Sequence, residues 1–198
     1  MLRKVYPDAI WDLDDGSQTV YLTFDDGPHP DITPWVMRQL EDHGAKATFF
    51  CIGDNIRKFP ETYQSILAAG HHTGNHTMHH LNGWKNDSET YQKDIQQCAE
   101  LVSGNLFRPP YGRMRKKQAQ VLLKDGYRTV MWSLLSRDYD RQYPPDQSLS
   151  FLKSATKRGS IVVFHDSEKA EPNLKRVLPA YLDFLVNNGF ELKAIPLR

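Results

Sequence analysis

Two adjacent carboxylates, Asp25 and Asp26, end an alternating apolar run, Thr19-Val20-Tyr21-Leu22-Thr23-Phe24, and Gly27-Pro28-His29 turns the chain at once. Neighbouring carboxylates repel unless a cation, a proton-accepting role or a hydrogen-bond network separates their tasks. Alone, the pair also reads as an acidic surface turn. Downstream, His76-Thr77-Met78-His79-His80 sets two imidazoles one helical turn apart, a spacing that lets both reach one metal ion; His76 with His79 would serve as well. Asp26 can add a hard oxygen. A His, His, carboxylate set with water in the open position is a catalytic zinc pattern, and iron, cobalt or nickel would also suit it. Three further groups could act on a proton or a carbonyl: Arg108-Pro109-Pro110-Tyr111-Gly112, Asp138 and His165-Asp166.

These residues need elements to gather them. Strand-like runs occur at Thr19–Phe24, Lys46–Ile52, His71–Asn75, Asn105–Arg108, Arg128–Trp132, Ser160–Phe164 and Phe190–Ile195. Helical patterns lie between them: Ile32–His43, Asn55–Ala69, a third capped by Ser88 and closing before Gly104, Lys116–Asp125, Ser148–Thr156 and Leu174–Asn187. Pro179 is expected to kink the last helix or to mark its first turn. The longest irregular piece is Ser136–Gln147. Such alternation implies parallel strands joined by crossover helices. A closed or nearly closed barrel is the economical answer, and a doubly wound open sheet the alternative. A full eight-fold barrel takes about 250 residues. The expected fold is therefore α/β, a distorted seven-stranded (β/α) barrel, TIM-barrel-like, forming a single domain over residues 1–198. Every chemically suggestive group then falls just past the carboxyl end of a strand, on the rim where barrel active sites are built.

Composition narrows the class. With 198 residues, 39% hydrophobic and 25% charged, the chain reads as an ordinary globular domain. A net charge of +1 provides no global field for nucleic acid or an anionic membrane. No apolar run is long enough to span a bilayer. The basic Met1–Asp8 opening has no apolar segment behind it and is not a secretory signal as it stands, so the chain as given reads as cytoplasmic. Cys51 and Cys98 lack zinc-cluster spacing and are expected as buried free thiols. His29, His43, His71, His72 and His79 receive no role, and Trp132 reads as core.

Four motifs in order resemble those of the polysaccharide deacetylase family, the metal-dependent carbohydrate esterase group that includes chitin and peptidoglycan N-acetylglucosamine deacetylases. They are Thr23-Phe24-Asp25-Asp26-Gly27-Pro28, His76-Thr77-x-x-His80, Arg108-Pro109-Pro110-Tyr111-Gly112 and Val163-Phe164-His165-Asp166. The resemblance implies removal of N-acetyl groups from amino sugars of a poly- or oligosaccharide. Asp25 would be the general base, and Asp26, His76 and His80 the ligands of a divalent metal, zinc first, with Co2+, Ni2+ or Fe2+ as options. Arg108 would orient the base, the Tyr111 backbone N–H bind the oxyanion, and His165, supported by Asp138, be the acid. Val163 stands where the family usually has leucine against the acetyl methyl. One motif departs: Leu135 and Tyr139 replace an aspartate and a tryptophan. Trp84, Tyr139 and Tyr143 lie in rim segments where they could stack on sugars. The partner expected is an acetylated amino-sugar glycan, without nucleic acid or a membrane span, and the resemblance leaves an extracytoplasmic setting open. Alternatives are a deacylase of a non-sugar amide or O-acetyl ester, and a non-catalytic carbohydrate-binding homologue.

Overall fold

Strand β1 (Thr19–Asp25) is buried along its whole length, as expected for a central parallel strand covered on both faces. In the computed structural model, which describes residues 2–197, it pairs in parallel with β2 (Thr48–Cys51), β7 (Ile161–His165) and β8 (Glu191–Leu192). The other strands are β3 (His72–Asn75), β4 (Leu106–Phe107), β5 (Arg128–Thr129) and β6 (Leu134–Leu135). Seven of them follow one hydrogen-bonded path, β5-β4-β3-β2-β1-β7-β6, to which β8 adds beside β1. This is the distorted seven-stranded barrel expected from the alternation, but it is left open. β5 and β6 are its two ends and do not pair.

The N-terminal segment covers that opening. Ile10 bridges to Val130 and Asp12 to Ser160, and the Ile10 N–H donates to Thr129 while its carbonyl accepts from Met131. Gly159 makes the passage possible. Its φ is 76°, and a Cβ there would sit 2.6 Å from the Asp14 nitrogen.

Period-two alternation assigns the strand faces. Val20, Leu22 and Phe24 join Val162 and Phe164 in the large core beneath the helices. There Phe24 stacks on Phe49 at 5.1 Å and on Phe164 at 6.0 Å. The alternate residues Tyr21 and Ile161 pack instead with Phe50, Leu106 and Val130 inside the barrel. The register sets Thr23 beside Val163 and Asp25 beside His165. Sequence alternation alone thus brings the first and last chemical motifs together at the open end of the interior.

The helices are α1 (Ile32–Asp42), α2 (Gly53–Lys58), α3 (Pro60–Ala68), α4 (Ser88–Ala99), α5 (Lys116–Lys124), α6 (Pro145–Ala155) and α7 (Glu171–Asn187). Several differ from the sequence reading. Asn55–Ala69 is two helices, because Pro60 cannot continue the first and instead opens the second. Asp87, rather than Ser88, caps α4 by accepting from the Thr90 N–H at 2.9 Å. Pro145 starts α6 inside the stretch expected to be irregular, and Pro179 lies within a continuous α7. The fifth strand stops at Thr129, and β6 is an element the pattern did not reveal. Both cysteines are buried and free.

Phe24→Ala removes the ring that joins β1 to β2 and β7. It is expected to cost about 3–5 kcal/mol, read as a lowered urea midpoint at unchanged m-value.

Candidate active site

Arg108, immediately after β4, is completely buried and is the largest such side chain among the described residues. Its Nη1 donates to Asp25 Oδ1 and to Thr23 Oγ1, both at 2.7 Å. Nε donates to the Val130 carbonyl at 3.1 Å and Nη2 to that of Met131 at 3.0 Å. The guanidinium carbon lies 4.1 Å from the centre of the Phe50 ring. Burial draws the Arg108 pKa below its usual value, while the Asp25 carboxylate opposes the shift. Among the described residues none donates to Asp25 Oδ2, and Asp25 lines the cavity.

The backbone of the same arginine acts on the histidines. Its carbonyl accepts from His76 Nδ1 at 2.8 Å, so Nε2 carries the free lone pair of the ring. Nε2 of His76 and of His80 lie 3.6 and 3.2 Å from Asp26 Oδ1, and the three donor atoms all fall within 4.8 Å of one another. Bonds of about 2.0–2.1 Å from a tetrahedral ion would put its ligand atoms roughly 3.3 Å apart, so the set fits a divalent cation. Burial pulls the His76 pKa down to about 4, keeping the ring neutral as a ligand must be. Burial works against charge on Asp26, but the His80 hydrogen bond and the His165 charge outweigh it and hold that carboxyl well below the usual range.

No helix supplies this spacing. Residues 76–80 form a turn in which Thr77 and His80 have φ of 66° and 55°. Asp94 on α4 fixes it by accepting from the Met78 and His79 N–H groups and pairing with His79 Nδ1. His79 therefore points to Asp94, which separates it from the His76–His80 pair. Asp26 is also left-handed, at φ 80°. Asn55 Nδ2 donates to its carbonyl at 2.7 Å, and the Gly27 carbonyl accepts from Ile52. Sequence reading took Asp166 only together with His165 and gave it no role of its own; it holds the other side of this turn. It accepts from the Gly27 N–H at 3.0 Å and from the Thr33 hydroxyl, and its own N–H donates to the Asp25 carbonyl. Burial pushes its pKa up to about 7. Its place directly after His165 in the last motif was the available signal.

His165 stands beside Asp25 by register. Asp138 Oδ1 pairs with its Nδ1 at 2.8 Å, and Oδ2 accepts from its backbone N–H at 2.8 Å. Burial alone would lower the His165 pKa; the charge and hydrogen bond of Asp138, then Asp26 and Asp25, overcome it and raise it to about 9. The imidazolium form is thus held at neutral pH with Nε2 as its remaining donor.

These groups line one cavity of ≈ 420 Å³. Val163 and Leu135, neighbours by register, form an apolar wall. Tyr139 meets His165 edge-on at 5.1 Å, and the exposed Tyr111 ring lies 4.6 Å from His80. Tyr111 has φ 61°, and its backbone N–H reaches no acceptor among the described residues. Trp132, read as core, is half-buried, packs against two core clusters and also lines the cavity. Trp84 lies outside the lining, with Nε1 donating to the Met114 carbonyl, and Tyr143 packs under Arg137. Among the described residues, no helix is long and apolar enough to cross a membrane.

Gly27 admits no side chain, since a Cβ there would lie 2.1 Å from Asp166 Oδ2. Gly27→Ala is expected to displace the turn carrying Asp26 and to weaken whatever affinity the Asp26, His76 and His80 set has for an added divalent cation roughly 10–100-fold, measured by titration calorimetry.

Comparison with known proteins agrees with this architecture. A peptidoglycan-N-acetylglucosamine deacetylase of Bacillus cereus is 30% identical over 193 residues, covering 94% of this chain and 91% of that one. A chitooligosaccharide deacetylase of Azorhizobium caulinodans is 37% identical over 155 residues, covering 75% and 73%. The crystal structure of a peptidoglycan N-acetylglucosamine deacetylase in complex with 4-naphthalen-1-yl-N-oxidanyl-benzamide superposes with a TM-score of 0.90 at 27% identity, covering 98% of this chain and 93% of that one. The family model described as polysaccharide deacetylase matches residues 12–130, and the chain belongs to that family.

Proposed function

We propose that this protein hydrolyses the acetamide of an N-acetylated amino sugar in an oligo- or polysaccharide, with a divalent cation held by Asp26, His76 and His80. One observation carries the reading. A single cavity sets a carboxylate oriented by a buried arginine beside a histidine oriented by a buried carboxylate, next to a set of donors fit for a cation. The relatives named as peptidoglycan and chitooligosaccharide deacetylases support the sugar assignment.

When bound, the cation supplies Lewis acidity, polarising the acyl carbonyl and making water nucleophilic near neutral pH. The chain supplies the proton traffic. Asp25 Oδ2 accepts the proton of the attacking water, while Arg108 fixes the carboxylate through Oδ1. The Tyr111 N–H would donate to the oxygen that gains charge, a kind of contact typically worth ~3 kcal/mol. His165 Nε2 then protonates the departing amine nitrogen, because Asp138 occupies the other ring nitrogen and favours the charged ring. Val163 and Leu135 offer the acetyl methyl an apolar wall. The products are acetate and a free amino sugar.

Acetate release from acetylated chitooligosaccharides or peptidoglycan fragments is the direct test. Activity is expected to vanish on chelation and return with added Zn2+ or Co2+. Asp25→Asn is expected to lose about 10²–10⁴ in kcat. Release from O-acetyl esters but from no acetamide would overturn the amide assignment, and sugar binding without turnover in the metal-loaded protein would overturn catalysis.

The acid must be protonated, so activity falls as pH rises through the His165 pKa. Asp138→Asn removes the charge that raises that pKa. The alkaline limb of the kcat profile is therefore expected to move to lower pH while the acidic limb stays.

A further inference from the structure

The turn that carries the Tyr111 N–H is held by a side chain distant in sequence. Tyr111 and Gly112 both adopt left-handed backbone, with φ of 61° and 65°. For tyrosine that conformation is unfavourable and persists only where its surroundings enforce it. Upstream, the chain is fixed by the fully buried Arg108. Downstream, it is fixed at Met114, which is buried and belongs to no strand or helix. The Arg113 carbonyl accepts from the Gly83 N–H at 3.1 Å, and the Met114 carbonyl from Trp84 Nε1 at 2.9 Å. Among the described residues the Met114 N–H has a single partner, the Tyr6 hydroxyl at 3.2 Å, which also donates to the Met114 carbonyl. Tyr6 comes from the segment ahead of β1 and is itself buried. Its own carbonyl accepts from Trp11 Nε1 at 3.1 Å and from the Ala9 N–H at 3.3 Å, so the residue is tied at both ends.

We infer that Tyr6 is a positioning residue for the reaction, aiming the Tyr111 N–H at the acyl oxygen through its hold on Met114. Tyr6 lies outside the lining of the active-site cavity, so it acts only through the turn. The inference rests on the deacetylase reading above and adds to it a residue that none of the four motifs contains. A donor aimed at developing charge stabilises the transition state more than the bound substrate. Losing its aim therefore lowers kcat and leaves KM nearly unchanged. Tyr6→Phe removes the hydroxyl, keeps the packing of the ring and leaves the Met114 N–H buried without an acceptor. Tyr91 provides the matching control. It packs in the same apolar cluster as Tyr6 and Met114, and its buried hydroxyl has no hydrogen-bond partner among the described residues. Tyr91→Phe thus removes the same atom from the same core and breaks no bond to the turn.

The experiment compares the parent protein, Tyr6→Phe and Tyr91→Phe, zinc-loaded, on N-acetylated chitotetraose. Tyr6→Phe is expected to lower kcat roughly ten- to a hundredfold with KM within about twofold of the parent. It is expected to weaken binding of a tetrahedral phosphonamidate analogue of the acetamide by a similar factor. Tyr91→Phe is expected to change neither. Without metal, amide exchange at Met114 is expected to quicken roughly tenfold or more in Tyr6→Phe alone, while the affinity of the Asp26, His76 and His80 set for added Zn2+ stays at the parent value. A kcat equal to the parent's, a loss that Tyr91→Phe matches, a rise in KM without a fall in kcat, or unchanged exchange at Met114 would each overturn the inference and leave the deacetylase reading intact. No acetate from the parent protein on any acetylated sugar would remove that reading and this inference with it.

Discussion

A guanidinium without exposed surface is the constraint on which the site depends. Burying Arg108 is tolerable only because four of its five N–H donors are met, by Asp25, Thr23 and two backbone carbonyls. Those carbonyls belong to Val130 and Met131, between β5 and β6, where the sheet fails to close. The neighbouring N–H and C=O groups of that segment are taken by Ile10 on the other side. The gap therefore has a physical reason, because an arginine and a strap of the N-terminal segment satisfy backbone that a further strand would otherwise have paired. Removing the arginine would leave Asp25 buried without a counter-charge, the more damaging half of breaking such a pair.

The same residue touches both halves of the site. Its side chain holds the Asp25 carboxylate and its carbonyl fixes the tautomer of His76. Across β1, the parallel register does the rest, setting Asp25 and His165 abreast at the strand ends. Two carboxylates and three histidines crowd one small space, yet their surroundings drive them apart. His76 is kept neutral by burial, while His165 is kept charged by the carboxylate behind it. One environment suits a neutral ligand and the other a proton donor.

Much of this was legible in the chain. Alternation in Thr19–Asp25 and Ile161–His165 marks strands, and motifs trailing the strand ends place the rim. What stayed hidden depended on contacts distant in sequence. The turn at 76–80 reads as helical spacing because Asp94, which unwinds it, lies on a later helix. β6 is only two residues long and overlaps the departed Leu135–Tyr139 motif by one residue, too short for any period to register. Pro60 did carry its signal, as a proline within a run otherwise read as one helix. Asp166 was visible as a letter, but its hold on Gly27 exists only once β1 and β7 pair.

Asp26, His80 and Tyr111 all adopt left-handed backbone, a conformation glycine takes freely and other residues adopt at a penalty of order 1–3 kcal/mol each. Thr77 and Arg137 share that backbone, and a campaign to harden this protein against heat, guided by backbone preference alone, would settle on all five places. Replacing Asp26 or His80 would erase donors of the candidate cation set. Preference and chemistry pull opposite ways at those two positions, and an engineer should leave them alone.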